Sequence, residues 1–270
     1  MRMNGIDVGN DGPDQSYEIM IPLEKITRQL EEYRGRKEYD KALQLLRCWL
    51  AEAKETDDKW GQLSLRNDLI SLYRRMGNMG RTMHNTKRAL ELVVRLGAEE
   101  DLAGGVTYVN AATAYARFGK NETALAIFRK AEKIYSEAEG VPRDCLGGLY
   151  NNMAAAFAAL SMQEEALCYY KKALEIMKDV PGGEMDEAIT YLNIADMVAR
   201  AVGMEKGKNE IKALLGKAYR RLCGSRAGYE FAAVCEKCAP VFSHYGYLVE
   251  AERLLSRAAS IRNADGCMPA

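Results

Sequence analysis

The feature that most constrains this chain is a motif that recurs about every 42 residues. Three segments share it most clearly, each starting with Tyr and carrying Asn two residues later; they begin at Tyr108, Tyr150 and Tyr191. A small residue marks one place in six successive copies, at intervals of 40 to 44 residues: Ala42, Thr82, Ala124, Ala166, Gly207 and Ala251. A repeat of this length is typical of proteins built from stacked supersecondary units.

Each copy has the pattern of two amphipathic helices. Apolar residues recur three and four positions apart, which places them on one helical face. Glycines separate the two halves of several copies, at Gly77, Gly119 and Gly246, and glycine favours the left-handed backbone that ends a helix. The sequence therefore predicts an all-α fold, a right-handed α-solenoid of about six helix pairs, or twelve helices, without strands.

The pattern also predicts boundaries and local features. The repeat domain is expected over residues 18–262 as a single domain, with a flexible segment at 1–17 and a frayed tail at 263–270. A second buried column should run through the second helices from Leu46 to Leu255. Pro240 lies inside a predicted helix and should kink it or end it early, because proline lacks a backbone donor.

The repeats resemble the tetratricopeptide repeat family. The segment YNNMAAAFAALSMQEEALCYYKKALEIM, from Tyr150 to Met177, carries the resemblance best. The period of about 42, longer than the usual 34, is most similar to the repeats of kinesin light chains and of related bacterial peptide-sensing proteins. The resemblance implies a bacterial source and a non-enzymatic scaffold that binds a protein or an extended peptide in a concave groove formed by the first helix of each pair.

Charge and hydropathy limit the classes of partner that the chain is expected to bind. The 38 Lys and Arg residues balance the 38 Asp and Glu residues, whereas nucleic-acid binding and polybasic membrane attachment need a basic surplus. The N-terminus lacks the apolar core of a signal peptide, and no apolar run approaches the length of a membrane span. We therefore expect a cytoplasmic protein with protein or peptide partners, without nucleic acid or membrane.

Sequence signatures of common enzymes are missing. No phosphate-binding glycine loop, HExxH zinc motif or GxSxG elbow occurs in the sequence. Histidine is the usual general acid or base, and the two histidines, His84 and His244, lie far apart in the chain. The sequence predicts no catalytic activity and no cofactor.

One local motif allows a different function. Cys235 and Cys238 are three residues apart, so they share a helical face, and His244 follows. A zinc site needs four ligands, and a redox pair needs a helix N-terminus to lower the thiol pKa. We interpret the two thiols as buried structural groups, with a metal or redox protein centred on this pair as the alternative.

A column of asparagines carries the binding hypothesis. Asn110, Asn152 and Asn193 stand at one position of successive repeats, and Asp68 holds it in the second repeat with Asn67 beside it. Asparagine is a poor helix former, so its recurrence requires compensation. The amide can hold the main chain of a bound peptide, since it both donates and accepts. The alternative is a ladder that braces neighbouring helices.

A second column, seven residues further on, is rich in arginine. It contains Arg75, Arg117 and Arg200, with His244 in the last repeat. Arginine recognises carboxylates through two parallel hydrogen bonds, so the column predicts an acidic peptide or a free C-terminal carboxylate as ligand. Pairing with Asp68 or Asp196, or simple solvation, is the alternative.

Two further functions stay open at this level. Related repeats occur in peptide-pheromone sensors, although no helix-turn-helix output domain precedes Leu23. The terminal repeats are also candidates for homo-oligomerisation, because no capping helix follows the last predicted helix, Gly246 to Arg262.

Overall fold

A computed structural model describes residues 21–225 and 228–265. Within these ranges the chain forms twelve α-helices and no strand, which confirms the all-α prediction of six helix pairs. The helices are α1 (Leu23–Gly35), α2 (Tyr39–Glu55), α3 (Lys59–Arg75), α4 (Met79–Arg95), α5 (Leu102–Arg117), α6 (Asn121–Glu137), α7 (Arg143–Ala159), α8 (Gln163–Met177), α9 (Glu184–Val202), α10 (Lys208–Gly224), α11 (Tyr229–His244) and α12 (Leu248–Asp265). Odd-numbered helices are called first helices below, and even-numbered ones second helices.

The described residues fall into two compact units. The N-terminal unit comprises residues 21–145 and the C-terminal unit residues 146–265. Within the N-terminal unit the first helices α3 and α5 contact each other, and within the C-terminal unit α9 contacts α11. The single domain over 18–262 stays a prediction. The predicted flexible segment at 1–17 lies outside the described residues, and α12 runs three residues into the predicted tail.

Short polar caps and left-handed turns delimit the helices. Asp58 accepts a hydrogen bond from the Gly61 backbone at 2.7 Å, and Asn78 accepts one from the Arg81 backbone at 3.1 Å; each satisfies an N–H that the first helical turn leaves unpaired. The turn inside every pair contains one residue with positive φ: Lys37, Gly77, Gly119, Ser161, Gly203 and Gly246. The three glycines predicted at these turns are confirmed.

The column of small residues lies where helices pack most closely. Ala42, Ala124 and Ala166 are fully buried. Gly207 departs from alanine because a Cβ there would lie 2.9 Å from Cγ1 of Val198, too close for an ordinary contact. In the fifth repeat, whose sequence matches the pattern least well, glycine in place of alanine therefore avoids this close contact.

One local prediction was wrong, and one of two alternatives in a second prediction is excluded. Leu255 is 48% exposed and Leu254 takes the buried place, because the buried face of α12 steps by three residues from Ala251 and then by four to Ala258. Pro240 does not end its helix, since α11 continues to His244. Proline removes a single intrahelical donor, so the helix can continue past it, and the kink at Pro240 stays a prediction.

Candidate binding surface

Three arginines come together on the first helices of the N-terminal unit. Arg75 ends α3 and Arg117 ends α5, and both side chains are exposed. Arg74, beside Arg75, is half-buried and close enough to both for their charges to disfavour its own. No carboxylate forms an ion pair with any of the three among the described residues.

Burial sets Arg74 apart from its neighbours. Removal from water, together with the like charges of Arg75 and Arg117, lowers the pKa of its guanidinium to about 10. Its Nε is buried and has no hydrogen-bond partner among the described residues. An unpaired buried donor is costly to keep, so the position of Arg74 lowers the stability of the free protein.

Sequence reasoning missed Arg74. The offset of seven residues from the asparagine column indicates Arg75 and gives no information on the adjacent position. A signal was available, since Arg34 occupies the same position one repeat earlier, 40 residues before Arg74.

Asp68 has an internal partner, although it is not one of the predicted arginines. Its Oδ1 accepts a hydrogen bond from the Arg34 guanidinium at 2.9 Å, and both side chains are largely shielded. This pair joins α1 to α3. The alternative interpretation, in which Asp68 pairs with an arginine of the second column, gives way to a pair with Arg34, and the Asp68 carboxylate is less available to a ligand than the sequence suggested.

The asparagines of the N-terminal unit have different surroundings. Asn67 donates from Nδ2 to Oγ1 of Thr107 at 3.0 Å, which joins α3 to α5. Its Oδ1 is buried without a partner. Asn110 is half-buried on α5, and its side chain forms no hydrogen bond to another described residue. Asn110 therefore keeps both its donor and its acceptor for a ligand.

In the C-terminal unit the asparagines form part of a ladder. Oδ1 of Asn151 accepts from Thr190 Oγ1 at 3.1 Å and from Asn193 Nδ2 at 3.2 Å. The Asn151–Thr190 bond is the repeat equivalent of the Asn67–Thr107 bond, since both link successive first helices at matching positions. Bracing of neighbouring repeats thus applies to Asn193. Asn152, half-buried on α7, also has an interaction within the protein.

Arg200 in the C-terminal unit lies beside a second polar link. Its Nε donates to the backbone oxygen of Asp196 at 3.3 Å on the same helix. The Asp196 carboxylate accepts from the Tyr245 hydroxyl at 2.8 Å, which ties the end of α11 to α9. Arg200 is exposed, and its guanidinium keeps donors directed at solvent because an arginine carries five.

Cys235 and Cys238 lie on the buried face of α11. The two residues are 0% and 2% exposed. Burial raises the pKa of Cys235 to about 11 and that of Cys238 to about 12, whereas a reactive or metal-binding cysteine needs the thiolate form. His244 is exposed at the end of the helix. Among the described residues, no group of three or more His, Cys, Asp or Glu side chains is arranged to hold a metal ion.

Comparison with solved structures supports the repeat fold. BtubC (BKLC) from P. vanneervenii is similar over 95% of this chain and 95% of its own, with 23% identity and a TM-score of 0.50. A Podosopora anserina protein with nearly identical kinesin light chain TPR-like repeats matches 77% of this chain and 98% of its own, with 15% identity and a TM-score of 0.47. The likeness to BtubC and the six helix pairs show the tetratricopeptide-like repeat fold that the sequence predicted.

Sequence-level comparisons add nothing to this likeness. No protein-family model matches the chain, and no curated protein is similar to it in sequence. Of the helices in the described ranges, none combines the length and the apolar composition that crossing a membrane requires.

Proposed function

We propose that this protein is a non-enzymatic interaction module whose first helices bind an extended, acidic peptide or partner tail. The observation that carries the proposal is the convergence of Arg74, Arg75 and Arg117 without a carboxylate partner in the described part of the chain. Like charges that are brought together at a cost in free energy favour a ligand of opposite charge.

The chemistry of the surface fits a carboxylate better than other anions in a peptide. A guanidinium fork matches the two oxygens of a carboxylate, and three forks suit either a run of Asp and Glu or a chain-terminal carboxylate with an acidic neighbour. Asn110 lies on α5, the helix that ends in Arg117. Its amide offers both a donor and an acceptor to the peptide main chain.

The other predicted site residues receive separate roles in this proposal. Asn67 and Asn193 brace successive first helices, and Asp68 orients Arg34. Asn152 and Arg200 belong to the C-terminal unit and stay predicted peptide contacts there, where Arg200 is exposed. The principal anchor is therefore the N-terminal unit.

A peptide array tests the proposal directly. Extended peptides of graded acidic content are presented with either a free C-terminal carboxylate or a C-terminal amide, and binding is followed by fluorescence anisotropy. We expect acidic peptides to bind and added salt to weaken binding, because exposed charge pairs are screened beyond about 10 Å at 0.1 M. Loss of binding on amidation alone would identify the terminal carboxylate as the group recognised.

Charge reversal identifies the surface. Arg117→Glu should weaken binding by about tenfold or more, because a charge-assisted hydrogen bond contributes about 1.5–3 kcal/mol. Arg129→Glu is the matched control, since Arg129 is exposed on the second helix α6 of the same unit. Equal affinity of the wild type and of folded Arg117→Glu for the selected peptide would contradict binding at this surface.

Self-association is a second candidate, favoured by α12. Leu248, Val249 and Leu255 are 65%, 57% and 48% exposed on this one helix, and an exposed apolar face is typical of an interaction site. Sedimentation velocity over a range of concentrations, with Leu255→Lys against an exposed polar control such as Ser256→Lys, distinguishes a dimer from a monomer. A monomer at every concentration would rule out this candidate.

A further inference from the structure

A second cationic site lies in the N-terminal unit, separate from Arg74, Arg75 and Arg117. It is a cleft of about 300 Å³ between the second helices α2 and α4, with α3 at its base. Most of the side chains that line it are basic: Lys54, Arg66, His84, Arg88 and Arg95. Four of these five carry a permanent positive charge at neutral pH.

Arg66 forms the fixed base of the cleft. It is only 7% exposed, and its guanidinium donates to Oδ1 of Asn85 at 3.1 Å. Asn85 is itself held, because its Nδ2 donates to the backbone oxygen of Arg81 at 2.9 Å. A buried arginine held by a buried amide has lost its rotamer freedom before any ligand arrives, so binding does not have to supply that entropy.

The positive charge of the cleft is largely uncompensated. Glu91 is the single carboxylate in the lining, and it pairs with Arg88 at 2.8 Å on the exposed rim. Burial lowers the pKa of Arg66, and the like charge of Arg88 lowers it further. The Arg66 Nε is buried without a hydrogen-bond partner among the described residues. The charge is therefore held in place at a cost that an anion would offset.

We propose that this cleft binds the phosphate groups of a small phosphorylated molecule, with Arg66 as the fixed contact and Lys54, Arg88 and Arg95 closing around it. A phosphate carries up to two charges and three terminal oxygens, so it can engage several arginines at once, whereas one carboxylate offers two oxygens. The cleft volume lies at the lower end of the range for small-molecule sites, which suits a diphosphate group.

The site is independent of the proposed peptide surface. Its rim is formed by α2 and α4, and Arg66 at its base lies on α3 eight residues before Arg74, about 12 Å along the helix. None of Arg74, Arg75 and Arg117 lines the cleft. A variant at one site should therefore leave binding at the other unchanged, and the two proposals can fail separately.

Calorimetric titration of the full chain with pyrophosphate tests the site, at fixed ionic strength and with citrate as a carboxylate of similar charge. We expect saturable binding of pyrophosphate, weaker binding of inorganic phosphate, and little of citrate. Arg88→Gln and Arg95→Gln should each weaken pyrophosphate binding about tenfold. Arg129→Gln removes the same charge from an exposed position elsewhere in the unit and should leave the affinity unchanged.

Two further variants sharpen the result. Glu91→Gln removes the competing carboxylate and should strengthen binding several-fold. Arg66→Lys keeps the positive charge but lacks the planar guanidinium with its several donors, so it should weaken binding. Circular dichroism would show whether this variant is folded. Absence of pyrophosphate binding, equal binding of citrate, or equal losses in Arg88→Gln and Arg129→Gln would overturn the proposal. Binding of the protein to vesicles that contain phosphatidylinositol phosphate, without binding of free pyrophosphate, would likewise overturn the proposal that the ligand is a soluble molecule.

Discussion

The Asn193 side chain donates from Nδ2 to Oδ1 of Asn151 at 3.2 Å, across the interface between α7 and α9. The same oxygen accepts from Thr190, so one amide oxygen holds two donors from the following repeat. Asparagine weakens a helix relative to alanine by a fraction of a kcal/mol, and this shared bond offsets that cost. Part of the asparagine column therefore has a structural explanation that needs no ligand.

Removal of the shared acceptor should destabilise the C-terminal unit. Asn151→Ala leaves the half-buried Nδ2 of Asn193 without its partner, whereas the buried Thr190 hydroxyl keeps the Asp186 backbone oxygen as an acceptor at 2.8 Å. We expect the free energy of unfolding to fall by about 1–3 kcal/mol. Thr190→Val removes only one donor and should cost less. Urea denaturation followed by circular dichroism measures both, and a double-mutant cycle gives their coupling. Additive effects of the two substitutions would show that the bond contributes no coupling energy.

Arg74 should increase the affinity for an acidic peptide and lower the free energy of unfolding. Arg74→Met replaces a partly buried, unpaired charge with an apolar chain of similar length, so we expect the free energy of unfolding to rise by about 1 kcal/mol. Affinity for an acidic peptide should fall in the same variant. Arg129→Met, an exposed control on α6, should change neither by much. A less stable Arg74→Met protein would mean that Arg74 packs favourably in the free protein.

The buried thiols predict a loss of stability at alkaline pH. Cys238 ionises near pH 9 when unfolded, but in the folded chain its pKa is raised to about 12 by burial. Its contribution is therefore fully present below pH 9 and is lost as the pH rises towards 12, at up to about 1.4 kcal/mol per pH unit.

Substitution isolates that contribution from other alkaline titrations. Cys238→Ala should flatten the fall of the free energy of unfolding between pH 9 and 11, measured by urea denaturation at each pH. Cys168→Ala is the control because Cys168 is exposed. If the slopes of wild type and Cys238→Ala coincide, Cys238 ionises equally in the folded and unfolded chains.

The repeat interval allowed the fold to be predicted because helix packing imposes it directly on the sequence. Where two helices approach closely only a small side chain fits, so Ala124 and Ala166 had to be small and buried. Binding groups are under no such constraint. Asn151 and Asn152 are adjacent and chemically identical, and it is the position of Thr190 on the next helix that makes Asn151 the bridging residue.

The cationic groups were harder still to predict from the sequence. Arg74 differs from Arg75 in burial, which arises from packing between α3 and α5 rather than from its own neighbours in the chain. The cleft around Arg66 gathers residues from three helices, separated by up to 41 positions between Lys54 and Arg95. The repeat period points to Arg75, Arg117 and, through Arg34, to Arg74, but it does not give their burial, and the cleft around Arg66 leaves neither a period nor a motif in the sequence.

The turn inside each helix pair supplies the last prediction. Five of the six turns have a residue with positive φ two residues after the end of the first helix, and glycine occupies three of them. Ser161 has φ 61° there, a conformation that costs a residue with a Cβ about 1–2 kcal/mol.

Ser161→Gly should remove that strain at a smaller cost in unfolded-state entropy, and we expect a net gain of about 0.5–1 kcal/mol in the free energy of unfolding. Gly119→Ala introduces the strain at the equivalent turn one repeat earlier, where φ is 78° and no atom lies within 4 Å of the added Cβ. Its loss of stability would therefore reflect backbone conformation alone. Thermal denaturation of the two variants should therefore shift in opposite directions. A shift in the same direction would mean that contacts of the Ser161 side chain, rather than its backbone conformation, determine the stability of this turn.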